Sequence, residues 1–190
     1  MLKIYYCNGF ASQFDPCSEK LRILSNLGEI NGHDIDYTLP ADVVVKQCID
    51  KLMGCDIDII VGTSMGGWLA AAVGSSAGIP FVAINPAINP SRTLIRHVGK
   101  GVDYQGNEYQ LTASVVNSYG PLARDGCGLI LLDEGDDVFD WHETYVAYHE
   151  TYSIYSFPGG SHRFEHMKES LQLIEKFFNH SECVYGLDEG

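Results

Sequence analysis

Cations are scarce in this chain: Lys and Arg together number 12 against 25 Asp and Glu, a formal net charge of −13. A surface that acidic repels phosphate backbones and anionic headgroups, which argues against nucleic-acid binding and against a membrane-surface role. Long apolar runs are missing too, and none approaches the roughly 20 residues that a membrane-spanning helix requires. The N-terminal run Met1–Cys7 has no signal-type apolar core or cleavage site and reads as a strand. The six cysteines include no Cys-x-x-Cys pair and are too few for a disulfide scaffold, which disfavours zinc knuckles and thioredoxin-type redox sites. Without a secretion signal, reduced thiols and a cytoplasmic location are expected. The G-x-G-x-x-G and G-x-x-x-x-G-K phosphate cradles are also absent.

What remains suffices for one domain over residues 1–190: 45% of the 190 residues are hydrophobic and 19% charged, and a chain of this size buries roughly 70% of its unfolded surface. Short β-branched runs alternate with helical periods. Leu2–Cys7 is a predicted strand, and Leu21, Leu24 and Leu27 mark one side of a helix closed by Gly28. Asp34–Thr38 is expected as the second strand. Pro40 opens a helix with Val45, Cys48, Ile49 and Leu52 at i, i+3, i+4 and i+7, ending at Gly54. Ile57–Val61 and Pro80–Ile84 suit strands buried on both faces, with a small-residue helix over Met65–Val73 between them. Leu129–Leu132 and Tyr152–Phe157 complete six strands, and Met167, Leu171, Ile174 and Phe178 line a final helix before a tail expected to fray after His180. This alternation predicts an α/β fold: right-handed crossovers, a mainly parallel six-stranded sheet and helices on both faces. Asn85–Gly126 is too long for a simple crossover and reads as an excursion or lid of modest order, with one helix near Leu111–Tyr119.

The sharpest chemical feature is Gly62-Thr63-Ser64-Met65-Gly66-Gly67, after a buried strand and before a helix. In that context a G-x-S-x-G match is a nucleophile elbow: Gly62 and Gly66 make room for a strained turn that raises the Ser64 hydroxyl clear of the sheet. The competing reading is that the small residues serve only close helix–strand packing. A serine hydroxyl needs a base, and His162 in Gly159-Gly160-Ser161-His162 lies between the last strand and last helix, at the same carboxyl edge of the sheet. His33, His97, His142, His149 and His180 read as surface residues. The imidazole in turn needs a carboxylate. Among the acids of Asp133-Glu134-Gly135-Asp136-Asp137, Asp136 is the first choice and Asp137 the second. The oxyanion donors are expected to be the backbone N–H groups of Met65 and of Phe10, in the loop after the first strand. A rival constellation is His162-Arg163-Phe164-Glu165-His166, an H-x-x-E-H zinc pattern if both imidazoles share a helical face. That pattern leaves the Ser64 turn unexplained.

These motifs together resemble the small bacterial YqiA-like esterases of the α/β-hydrolase superfamily. The likeness rests on Asn8-Gly9-Phe10, the elbow around Ser64, Ile84-Asn85-Pro86-Ala87, Gly135-Asp136-Asp137-Val138 and Gly159-Gly160-Ser161-His162, in that order. It implies a compact α/β-hydrolase with sheet order 2-1-3-4-5-6 and a small excursion between strands 4 and 5. It also implies cofactor-free hydrolysis of a small carboxylic ester, with thioesters as the extension, by Ser64, Asp136 and His162. The family generally has His-Gly-Phe where this chain has Asn8-Gly9-Phe10. Two other readings stand beside this one: a catalytically degenerate hydrolase fold used as a binding module, and a zinc hydrolase built on His162 and His166. Tyr104, Tyr109 and Tyr119 are candidate pocket residues, and Arg92, Arg96 and Lys100 a candidate basic patch.

Overall fold

The computed structural model describes residues 1–181. In chain order its elements are β1 (Leu2–Cys7), α1 (Glu19–Leu24), β2 (Gly28–Gly32), α2 (Ala41–Leu52), β3 (Ile59–Thr63), α3 (Met65–Ala77), β4 (Phe81–Ile84) and α4 (Pro90–Leu94). These are followed by β5 (Gly99–Val102), β6 (Glu108–Leu111), α5 (Ala113–Ser118), β7 (Gly128–Asp133), α6 (Trp141–Tyr148), β8 (Ser153–Phe157) and α7 (Met167–His180). Six strands form one sheet in the order β2-β1-β3-β4-β7-β8, every pair parallel. Counting only these six strands, the order is the expected 2-1-3-4-5-6. β3, β4 and β7 are buried along their whole length, as central strands covered by helices on both faces must be. One core lies against α2, α3, α5 and α6, and includes Trp68, Leu69 and Tyr119; the other lies against α1 and α7, and includes Leu24, Val61 and Ile174. No helix among the described residues is long and apolar enough to cross a membrane.

Two expectations need correcting. The second strand is Gly28–Gly32, not Asp34–Thr38, and Gly28 opens it instead of closing α1. Gly28 pairs with Leu2 so closely that a Cβ would sit 1.8 Å from the Leu2 carbonyl oxygen. Asp36 instead holds a turn, accepting from Thr38 N and Oγ1, a local use of Asp that competes with strand pairing, while Asp34 accepts from Phe14 N in the distant loop after β1. The excursion between β4 and β7 is also more regular than expected. It carries α4, the antiparallel hairpin β5–β6 and α5, and the Tyr104 N–H of the hairpin loop donates to Ala11 O in the loop after β1. The expectation for the chain end lies, beyond Ser181, outside the described residues.

Candidate active site

The turn between β3 and α3 is shaped by what glycine leaves out. Ser64 has φ 58° and ψ −119°, a conformation L residues rarely adopt. A Cβ on Gly62 would lie 1.9 Å from Gly66 O, and one on Gly66 would lie 2.0 Å from Cys7 O. Ser64 N donates to Ile84 O, while Ser64 O accepts from Gly67 N and Ala87 N, so β4 and its Asn-Pro exit brace the bend from the side. The loop after β1 leans on the same bend, where a Cβ on Gly9 would meet Ser64 Cβ at 3.5 Å. That contact brings the Gly9-Phe10 segment beside the serine.

Three segments far apart in sequence meet there. Ser64 Oγ lies 3.0 Å from His162 Nε2, and His162 Nδ1 lies 3.0 and 2.9 Å from the two Asp136 oxygens. With the ring proton on Nδ1, the imidazole donates to Asp136 and accepts from the serine hydroxyl. The Asp136 side chain is almost wholly buried and also accepts from Val138 N and Phe139 N, which fixes its direction. Asp137 is exposed. The Phe139 ring packs edge-on against the imidazole at 4.8 Å.

A second set of residues, not assigned from sequence, holds the histidine loop. Asn85, at φ 40°, donates through Nδ2 to the Ser161 and His162 carbonyls and accepts from Asp133 N. Asp133 is fully buried; its carboxylate accepts from Ser161 N, Glu165 N and His166 Nδ1. The zinc arrangement loses its premise here. Residues 162–166 form turns ahead of α7, so His162 and His166 do not share a helical face, and each ring is committed to a different carboxylate.

Two cavities adjoin Ser64 and His162. The larger, about 740 Å³, runs along α1 and includes Lys20, Leu21, Arg163 and Met167. The smaller, about 270 Å³, is lined by Met65, Leu94, Val138 and Phe139 among others. Phe10 and Tyr104 border both cavities, whereas Tyr119 is buried in the core, with its hydroxyl donating to the Tyr37 and Leu39 carbonyls. His97 is half-buried against the Phe10 ring, 5.1 Å away, and His33 is half-buried beside the Tyr5 hydroxyl. Neither is the surface residue expected. Arg92 pairs with Glu143, and Arg96 borders the smaller cavity. The cation that sequence reading overlooked is Lys20: burial pushes its ammonium down to about 8, with Asp133 opposing that shift and Arg163 adding to it. Asn8 is buried, donates to Gly9 O and Ser12 O, and keeps its Oδ1 without a partner among the described residues.

The model of a family described as uncharacterised, UPF0227, matches residues 3–179. A UPF0227 protein of Citrobacter koseri is 25% identical over 187 residues, covering 92% of this chain and 97% of that one. Among solved structures, Est1E from Butyrivibrio proteoclasticus matches with a TM-score of 0.72 at 14% identity, over 97% of this chain and 88% of that one. Alpha/beta hydrolase domain-containing protein 10 from mouse matches at 0.69 and 14%, over 93% and 89%. At such identities the likeness is one of architecture, and the architecture is the α/β-hydrolase fold.

Proposed function

The chain belongs to the UPF0227 family, and from its α/β-hydrolase fold and the side-chain geometry we propose that it is a serine hydrolase of carboxylic esters. Ser64 attacks the acyl carbonyl while His162 Nε2 takes the hydroxyl proton, and Asp136 stabilises the imidazolium that forms. The N–H groups of Met65 and Phe10 hold the tetrahedral oxyanion. As the carbonyl re-forms, the bond to the alcohol breaks and His162 returns the proton to the departing oxygen. Water, deprotonated by His162, then cleaves the acyl-enzyme and frees the acid. Thioesters follow the same path with a thiol leaving group.

The observation that carries this reading is the unbroken relay from Ser64 through His162 to Asp136, at 3.0 and 2.9 Å. A fold used only for binding has no reason to retain a strained serine with a base on one side and a buried carboxylate behind that base. Reaction with a fluorophosphonate probe tests the proposal, because only an activated serine is labelled. Ser64 is expected to take the label, and Ser64→Ala is expected to stay folded yet lose at least about 10⁴-fold in kcat on an activated short ester. A Ser64→Ala protein that hydrolyses the ester at the original rate would overturn the assignment.

A further inference from the structure

The larger cavity beside Ser64 contains charge that the hydrolytic relay does not use. Lys20 reaches into it from α1, and among the described residues its Nζ finds only the Thr63 hydroxyl, at 3.4 Å. That hydroxyl is already engaged with the Tyr6 hydroxyl at 2.9 Å. Arg163, next to the relay histidine, is exposed and borders the same cavity. Among the described residues, no carboxylate lies within ion-pair distance of either cation. The carboxylate that acts on Lys20 from farther away is Asp133, whose oxygens already accept from Ser161 N, Glu165 N and His166 Nδ1. Acidic side chains also border the cavity: Asp15, whose Oδ1 accepts from Cys17 N, and Glu19 and Glu165, all three exposed.

An ammonium withdrawn from water without a counter-charge is unfavourable, and a guanidinium nearby makes it more so. In a chain with only 12 cations and a net charge of −13, there is no shortage of acids to pair with them. Both cations nevertheless border the cavity that opens on the nucleophile. An anionic group arriving with the substrate supplies the missing partner, and it lies one residue away from Ser64 because Lys20 touches Thr63.

We propose that Lys20, with Arg163 at the cavity mouth, forms an anion subsite, and that the substrate is an ester bearing a second, negatively charged group, a carboxylate or a phosphate. The inference rests on the hydrolase reading above and narrows it. The smaller cavity, with Met65, Leu94, Val138 and Phe139 on its walls, receives the uncharged end of the substrate.

The test compares three esters of equal length: one with a neutral terminus, one with a terminal carboxylate and one with a terminal phosphate. Within each protein, kcat/KM for a charged ester is divided by that for the neutral one, so any general loss of activity cancels. The wild type is expected to favour at least one charged ester by about tenfold or more, the scale of a charge-assisted hydrogen bond. Which of the two it favours identifies the anion. Lys20→Met is expected to bring that ratio close to one, with Lys20→Gln as the second variant should Lys20→Met not fold. Turnover of the neutral ester without preference for either charged one, or a ratio that survives both substitutions, overturns the subsite and leaves the hydrolase reading intact. No turnover of any ester, with no labelling of Ser64, overturns both.

Discussion

A lysine removed from water gives up its proton more readily, and the consequence for Lys20 runs in one direction. In the unfolded chain its ammonium titrates at the ordinary value of 10.5; in the fold, burial lowers that to about 8. Below pH 8 both states hold the proton, and the folded state carries the full cost of the desolvated charge. Between pH 8 and pH 10.5 the folded state releases its proton first, so the cost fades as pH rises. At neutral pH the side chain therefore stays mostly protonated, ready for an anion, but lowers stability. The shift corresponds to at most about 3 kcal/mol, and with solvent screening at the cavity mouth about 1–2 kcal/mol is expected. Lys20→Met should accordingly raise the urea-unfolding free energy at pH 7 by that amount, with the gain shrinking above pH 8 and gone only above the ordinary value of 10.5. Destabilisation at pH 7 would instead assign Lys20 a structural role opposite Asp133. The contrast with Ser64 explains what the sequence could reveal at this scale. The significance of Ser64 is local, carried by glycines two positions to either side. That of Lys20 depends on Thr63, Asp133 and Arg163, which only the folded chain brings near it.

Elements decide where the loops go, and the histidine loop is held mainly by the strand ends. β7 and β8 pair in parallel from Leu129 with Ser153 to Asp133 with Phe157, which sets the last residue of β7 beneath the turn that follows β8. Asp133 then ties down Ser161, Glu165 and His166, while Asn85 at the end of β4 holds the Ser161 and His162 carbonyls. Asp133→Asn replaces a carboxylate oxygen by an amide donor facing other donors. It should cost about 2–4 kcal/mol of stability. Because the loop it frees aims the imidazole at Ser64, kcat should drop by at least about tenfold while KM changes little. Denaturant unfolding and steady-state kinetics on one preparation separate the two effects. If only stability changes, Asp133 supports the fold without positioning the base. Asp136 could be chosen from sequence because the residue after Gly135 at a strand exit can turn back. Asp133 could not, since nothing in a run of neighbouring acids marks the one that is buried. The second strand was misplaced for a related reason: Gly28 is a common helix stop, and only its close approach to Leu2 makes it a strand residue.

Across the whole molecule, the alternation of apolar runs and helical periods was enough for a parallel sheet covered by helices on both faces, whereas the order of its six strands came from the family likeness alone, since periodicity does not say which strands are neighbours. The hairpin β5–β6 was less legible, its strands being short and mostly exposed or half-buried, with little apolar patterning to announce them. Global charge acts on the anion subsite in a way that no local contact reveals. At low ionic strength, where the Debye length is about 30 Å, an approaching anion experiences the field of the entire chain and is repelled; near 0.15 M the length is about 8 Å and most of that repulsion is screened. The contact with Lys20 is shorter than either length and sits in a partly desolvated cavity, so salt weakens it less than it weakens the long-range field. For the favoured charged ester, kcat/KM should therefore rise about two- to threefold between 0.01 M and 0.15 M salt, while the value for the neutral ester stays constant. A fall with added salt would mean that the cations near the cavity outweigh the net charge of −13 over the distance at which substrate is drawn in, and that the acidic surface lies mainly on the far side of the molecule.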